Sequence, residues 1–499
     1  MNAAPWLGSG LGYRPQFRAE LFESRARIDF LEIIADHYFD ASPEKLTELA
    51  LLAAHFPLVP HGLDLSLGGA EGLDAGYVEK LARLIERINP PWFSEHLCFT
   101  RGGGVSIGHL AALPHTFAAI DAVARNVDML RKRIKVPLLL ENVTTVVVVP
   151  GAQMDEAEFL SRVLERTDCG WLCDVANLYA NAVNHGVDID AGFERWPWDR
   201  VAQIHYAGGR WRDGALIDSH DRATSGQVWA LFERVAARVS IRGAVLERDE
   251  NLPPFEELLA ELDRARTIMQ AHDSEAKDAI SLAPRWGDKC SPEPEAARKS
   301  LGQTQALLGG LFTNASFRRE FFANPEKAAL DFGLPPDQAS TLKAVDAKSV
   351  AQFVDSLSQK RLADARKTLP MTARALGAEF DRLLRPKLDG PPSSGRHRDD
   401  AARLVARIEQ GDDARPLPPW IVDLARYEMA CVAAASPGAV LILRCFRWPP
   451  RRLAAAALSG ADPGAPTRAL GLWLRLPGAR RLFHRLFSAT IPWREHARE

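Results

Sequence analysis

Cysteine is scarce: six in 499 residues, widely scattered, cannot form a disulfide framework, and reduced thiols are expected. The one close pair, Cys169 and Cys173, has C-x3-C spacing rather than the C-x2-C of zinc ribbons and thioredoxin-like sites, and reads as two small buried apolar groups. An excess of one charge is lacking as well. Lys+Arg number 62 against 64 Asp+Glu, a formal net charge of -2, so no global field draws the chain to nucleic acid or to an anionic bilayer. No apolar run reaches the ~18 residues of a spanning helix. The amino-terminal stretch MNAAPWLGSGLGYRPQF has no basic segment followed by an apolar core. A cytoplasmic protein without nucleic-acid or membrane partners is expected. What is present, 46% hydrophobic and 25% charged residues, suits a soluble globular chain long enough for two or three domains.

Residues 1–272 alternate β-branched or aromatic runs with amphipathic helical stretches, the pattern of βα units around a parallel sheet. Eight strands are predicted, at 7–11, 28–34, 58–63, 92–97, 136–142, 170–175, 201–206 and 243–247. Helices at 42–55, 74–88, 114–133, 155–165 and 255–271 lie between or after them. Eight such units in this length predict a (β/α)8 TIM barrel. Residues 273–300 are polar and aperiodic and read as a linker. Residues 301–388 read as a helical domain, with Asn324 and Pro325 opening one helix and another at 349–368. A second linker, 389–400, precedes an α+β segment at 401–499, with a helix near 420–435 and an apolar run, AVLILRCF, fit for a strand. Beyond Val440 there are 11 Arg against three acidic residues: either a surface for an acidic partner or, more simply, arginines lying over apolar surface. No internal repeat is visible.

In a parallel barrel the carboxyl ends of the strands converge on one mouth, so ionisable residues recurring there carry information. His61 closes the third strand, Glu95 and His96 the fourth, Glu141 and Asn142 the fifth. Asp174 and Asn177 follow the sixth, His205 closes the seventh, Glu247 the eighth, and IDSHD after the seventh adds Asp218, His220 and Asp221. Any one of them alone would be an ordinary paired core group. Four histidines and four carboxylates gathered without counter-charge would cost many kcal/mol, and multivalent cations are the economical answer. Mixed imidazole and carboxylate without thiolate fits Fe, Mn or Zn, and carboxylates able to bridge favour more than one ion. A purely hydrogen-bonded polar mouth is the bland rival. Cys98, His115 and His185 read as structural residues.

The ordered strings PHGLDLSLGG, SEHL, LLLEN, CDVANLYANAVNHG, QIHYAGG, IDSHD and LERDEN resemble the DUF692 family, also called UPF0276 or multinuclear non-heme iron-dependent oxidative enzymes, over roughly residues 1–270. The resemblance implies a TIM barrel with two or three irons at its mouth, O2 as co-substrate, and modification of cysteine in a ribosomally synthesised precursor peptide. It assigns the metal to His61, His96, Glu141, Asp174, Asn177, His205, Asp218, His220 and Glu247, and catalysis to Glu141, Asp174 and His205. Three departures stand out. Gly209 occupies the place of the histidine in the family's AGH, the motif around Asp174 reads DVAN, and Asp36 and His37 replace an acid-Asn pair. The segments FGLPPDQASTLKAVDAKSVAQFVDSLSQKRLADARKTLP and PWIVDLARYEMA are similar to the helical partner proteins of these enzymes, which implies a fused peptide-recognition module in place of a separate partner. Rival readings are a divalent-metal isomerase or phosphodiesterase-like hydrolase on the same barrel, and a non-catalytic peptide-binding protein. Homo-oligomer formation is left open.

Overall fold

The computed structural model describes residues 4–272, 294–392, 397–411, 416–479 and 481–492. Its strands are β1 Gly8–Gly12, β2 Phe30–Ile34, β3 Leu58–Gly62, β4 Phe93–His96, β5 Cys98–Gly102, β6 Val105–Ala112, β7 Leu138–Glu141, β8 Gly170–Asp174, β9 Val201–Tyr206, β10 Gly208–Arg212, β11 Ala215–Arg222, β12 Gly243–Leu246, β13 Val440–Phe446, β14 Thr467–Arg475 and β15 Phe483–Pro492. Eight of them close into a barrel in the order β1-β12-β9-β8-β7-β4-β3-β2, every pairing parallel. These are the eight strands expected from the sequence. They read as continuous apolar runs because strand residues are buried on both faces, against the barrel interior and against the outer helices.

Helix starts are fixed by side chains that accept free backbone amides. Asp74 takes the amide of Tyr77, Thr116 that of Ala119, Asp155 that of Glu158 and Ser225 that of Val228. Below the mouth, Phe30, Val59, Trp92, Leu139, Leu172, Ala202 and Val245 form one packed layer drawn from most of the strands. The barrel is therefore filled, and chemistry is confined to its open end.

Two antiparallel hairpins, β5-β6 and β10-β11, follow barrel strands β4 and β9. The stretch carrying Asp218 and His220 is therefore a strand rather than the loop expected. Asp213 and Gly214, both at positive φ, make its tight turn, an Asp-Gly signal in the sequence.

The chain divides into two compact units. One holds the barrel with Phe317–Val350; the other holds Ala351–Glu499 together with two short segments, Asp40–Glu48 and Phe312–Ser316. The expected block 301–388 is thus split. The physical reason is visible at Gln305, buried on the helix Glu295–Thr313: its Nε2 donates to Gly68 O and its Oε1 accepts from Ala70 N, both at 2.8 Å, keying this helix to the loop after β3. Helices also begin inside both expected linkers, at Glu295 and His397, where Glu, Ala and Arg favour them. Asn324 caps Pro325–Asp331, accepting from Lys327 N.

In the second unit the run AVLILRCF forms β13, and β13-β14-β15 make an antiparallel sheet. Phe446, Ala469 and Trp473 on one face pack against Ala430 and Ala434 of the helix Ile421–Ala434. Leu441, Leu443, Leu470, Phe483 and Phe487 remain largely exposed. No helix among the described residues is long and apolar enough to cross a membrane.

Candidate metal centre

Strand register decides what meets at the mouth. His61 and Ser94, His96 and Glu141, and Asp174 and His205 are lateral partners on adjoining strands, so the register brings His61, His96, Glu141, Asp174 and His205 to the carboxyl ends of neighbouring strands. Two groups of potential ligand atoms result: His61, His96 and Glu141; and Glu141, Asp174, His205 and Glu247. All six residues are buried or nearly so, and Glu141 belongs to both groups.

In the first group His61 Nε2, His96 Nε2 and Glu141 Oε2 form a triangle with sides of 3.3, 3.3 and 3.4 Å. His96 Nδ1 lies 3.1 Å from Gly62 O, and a carbonyl only accepts, so this nitrogen donates and Nε2 of the neutral ring carries the lone pair. His61 Nδ1 is engaged by Ser94 Oγ at 2.8 Å, which likewise leaves Nε2 facing Glu141. The centre of such a triangle is about 1.9 Å from each corner, close to the length of metal bonds to imidazole and carboxylate.

In the second group His205 Nδ1 stands 3.4 Å from Glu141 Oε1 and 3.3 Å from Glu247 Oε2. Asp174 Oδ1 is spent on Asn177 N at 2.7 Å, and its Oδ2 is buried without a hydrogen bond. Glu141 Oε2 and His205 Nδ1 are further buried atoms without one. Native interiors rarely leave such atoms orphaned, and here they gather at one place. Imidazole nitrogens and carboxylate oxygens facing one another at 3.3–3.4 Å across the mouth suit multivalent cations.

Asp218 and His220 lie beside the second group. His220 Nε2 is 2.6 Å from Asp218 Oδ1 and 3.7 Å from Glu247 Oε2, and His220 adopts a left-handed backbone, unusual for a non-glycine residue. Gly209 sits where the hairpin register shifts, and a Cβ there would be 2.6 Å from Ile217 O, so this backbone has no room for the imidazole of the family's AGH.

Asn177 does not face either group: its Nδ2 donates to Asn142 O at 3.1 Å and its Oδ1 accepts from Thr144 Oγ1. Asn142 in turn ties β7 to β8, accepting from Trp171 Nε1 and Asp174 N. Glu95 accepts from His96 N and Leu65 N, and Asp36 from Leu63 N and Tyr77 Oη, so both hold backbone around the site. Asp221 pairs with Arg210. Cys98, Cys169 and Cys173 are buried thiols, His115 stacks on Phe159, and His185 Nε2 contacts Thr145 O.

Two residues near the site were not singled out from the sequence. Glu32 of β2 lies 2.9 Å from His205 Nε2, and Asp249 lies 3.4 Å from His220 Nδ1 while accepting from Arg14. The available signals were a single carboxylate inside the apolar strand FLEII and the second acid of LERDEN.

Electrostatics follow the geometry. Burial pushes the Glu141 carboxyl up, but His96, His205 and His61 outweigh it and hold it down to about 2. Burial and then His96 lower His61. His96 is lowered by burial but raised more by Glu141 and Glu95, to about 9. His205 and His220 are likewise lifted against burial by the surrounding carboxylates. Asp174 is raised by burial and then by Asp218, Glu141 and Glu247. The shifts have one common cause, the crowding of buried carboxylates and imidazoles at the strand ends.

A family model described as "RiPP precursor modification enzyme MbnB/TglH/ChrH" matches residues 8–270. A UPF0276 protein of Caulobacter vibrioides is 38% identical over 267 residues, 53% of this chain and 95% of the relative. A UPF0276 protein of Streptomyces avermitilis is 31% identical over 455 residues, 83% of this chain and 91% of the relative, so that likeness continues well past the barrel. Among solved structures, D-psicose 3-epimerase from Clostridium cellulolyticum aligns at TM-score 0.34 and 10% identity over 53% of this chain and 96% of that one. Endonuclease IV from Thermus thermophilus aligns at 0.34 and 18% over 54% and 100%.

Proposed function

This chain belongs to the MbnB/TglH/ChrH family of RiPP precursor modification enzymes, and from that premise we propose that it is an iron-dependent oxidoreductase that uses O2 to modify cysteine in a ribosomally synthesised precursor peptide. The observation that carries the reading is Glu141, whose two oxygens face two separate groups of imidazole and carboxylate, as a carboxylate bridging two ions must. His61, His96 and Glu141 would hold one iron; Glu141, Asp174, His205 and Glu247 the other. Asp218 and His220, with Glu247, supply part of a third position, which lacks the imidazole that Gly209 replaces. Bound iron supplies a soft-anion site for a substrate thiolate and the reducing electrons for O2.

The chain's own residues do the rest. The buried walls keep bulk water from the reacting sulfur and strengthen every charge interaction around it. Backbone contacts of Glu95 and Asp36 fix the loop that follows His61, and Asn142 fixes the β7-β8 edge. The second unit is read as the peptide-recognition module. In support, its sheet exposes five large apolar side chains in a segment rich in arginine, a surface suited to an amphipathic acidic peptide.

The test is anaerobic loading with 57Fe(II), Mössbauer spectroscopy, and O2 uptake in the presence of a synthetic cysteine-bearing peptide. Coupled iron and peptide-dependent O2 uptake are expected. Preferential loading with Mg, Mn or Zn and no O2 uptake would instead favour an isomerase or phosphodiesterase-like hydrolase.

A further inference from the structure

The strand β2, FLEII, sets one carboxylate among apolar neighbours, and Glu32 is only 4% exposed. A carboxylate so placed is tolerable only with strong partners. Glu32 has two. His205 Nε2 lies 2.9 Å from Oε1 and 3.0 Å from Oε2, and Gln203 Nε2 donates to Oε2 at 2.7 Å. Gln203 cannot turn its amide over, because its Oε1 accepts from the fully buried Trp92 indole at 2.7 Å. The chain Trp92 to Gln203 to Glu32, with His205 donating from the other side, therefore has its donors and acceptors fixed.

The consequence falls on His205. A carboxylate only accepts, so the ring carries hydrogen on Nε2 and turns the Nδ1 lone pair toward Glu141 and Glu247. Glu32 is not among the atoms that could share an ion in that group. We propose that Glu32 is a positioning residue for one half of the metal centre: it fixes the tautomer and ring orientation of His205 so that Nδ1 binds the ion held with Glu141, Asp174 and Glu247. The hydrogen bonds of Glu32 go to His205 and Gln203, and those of His61 and His96 to Ser94 and Gly62. This rests on the two-ion reading above.

The Glu32→Gln variant keeps shape but removes one acceptor. A carboxylate serves both His205 and Gln203, whereas an amide oxygen serves one and its NH2 confronts the other donor. Metal-free wild type and E32Q would be titrated anaerobically with 57Fe(II), with His61→Ala as reference for loss of the other position, and their Mössbauer doublets compared. Removing an outer carboxylate partner typically weakens metal binding 10–100-fold. E32Q is expected to lose affinity tenfold or more at one position only, keeping the doublet that His61→Ala abolishes. Unchanged affinity at both positions, or equal loss at both, would overturn the assignment. Should E32Q not fold, Gln203→Met, which removes one donor to Glu32 and leaves the carboxylate, is expected to weaken the same position selectively. Wild type binding no iron would refute the two-ion reading itself, a result visible before either variant is made.

Discussion

His61 Nε2 and His96 Nε2 stand 3.3 Å apart on neighbouring strands, each with its other ring nitrogen engaged by Ser94 or by Gly62. Both point at Glu141 Oε2, whose partner oxygen serves the second group. The two groups therefore fail differently when ligands are removed. His96→Ala is expected to empty one position and leave the other, while Glu141→Ala empties both, and each abolishes turnover. Iron-to-protein ratios after anaerobic loading check this, with melting curves of the metal-free proteins to show that the barrel survives. A Glu141→Ala protein that retained one full equivalent would not contain a bridge.

Gly62, between His61 and the loop at 63–72, is a packing requirement. A methyl group there would overlap Glu95 Oε2, and Glu95 is buried while holding His96 N and Leu65 N. Gly62→Ala should destabilise by about 1–3 kcal/mol, the usual range for overfilling a core. Because the displaced Glu95 holds the His96 backbone, metal affinity should fall as well. Chemical denaturation and metal titration on the same variant measure both; a variant unchanged in both would show that Glu95 can move freely.

Much of this was legible in the sequence, for a geometric reason. Parallel strands deliver their last residues to one rim, so His61, His96, Glu141, Asp174, His205 and Glu247 could be gathered by position alone. Glu32 could not, because it sits mid-strand, where one carboxylate looks the same whether it salt-bridges a surface residue or buttresses a ligand. The β10-β11 hairpin was signalled by Asp213-Gly214, yet its short polar strands lack the apolar alternation that marks a strand. Asn177 has the right motif position, but helix geometry turns its amide to Asn142 and Thr144. The placement of 301–311 and 317–350 with the barrel was not legible, since Gln305 recognises backbone groups of a loop 235 or more residues away and leaves no complementary side chain to read.

Glu156 gives a pH signature separate from the metal centre. It accepts from Asn181 Nδ2 at 2.9 Å, but burial, with Asp155 adding to it, pushes its carboxyl up to about 7. A raised carboxyl binds its proton more tightly in the folded chain than in the unfolded one. Its contribution is therefore most favourable below the unfolded value of 4.5 and declines as pH rises to about 7, levelling off above. The loss is at most about 3 kcal/mol. Glu156→Gln, which keeps an oxygen for Asn181, should match wild type near pH 4 and melt higher near pH 8. An advantage that did not grow between these limits would show that Glu156 is ionised without penalty.

Arg361 and Asp400 form a buried ion pair in the second unit, with guanidinium-carboxylate contacts of 2.8 and 2.7 Å and both side chains almost wholly inaccessible. Arg361 also donates to Leu388 O and Gly390 O, so one side chain closes the turn that leads from one helical stretch to the next. Replacing Arg361 with Met preserves bulk but leaves Asp400 buried with only the longer contact to Arg403 at 3.1 Å. Breaking a buried pair in this way costs about 3–5 kcal/mol. Since these residues belong to a different compact unit from the strand-end ligands, the loss should appear as a lowered unfolding transition of the second unit alone. Calorimetry of the metal-loaded full chain is the measurement. Two transitions, of which only one moves while iron content stays at the wild-type level, are expected; a common shift of both would mean that the units unfold as one cooperative body.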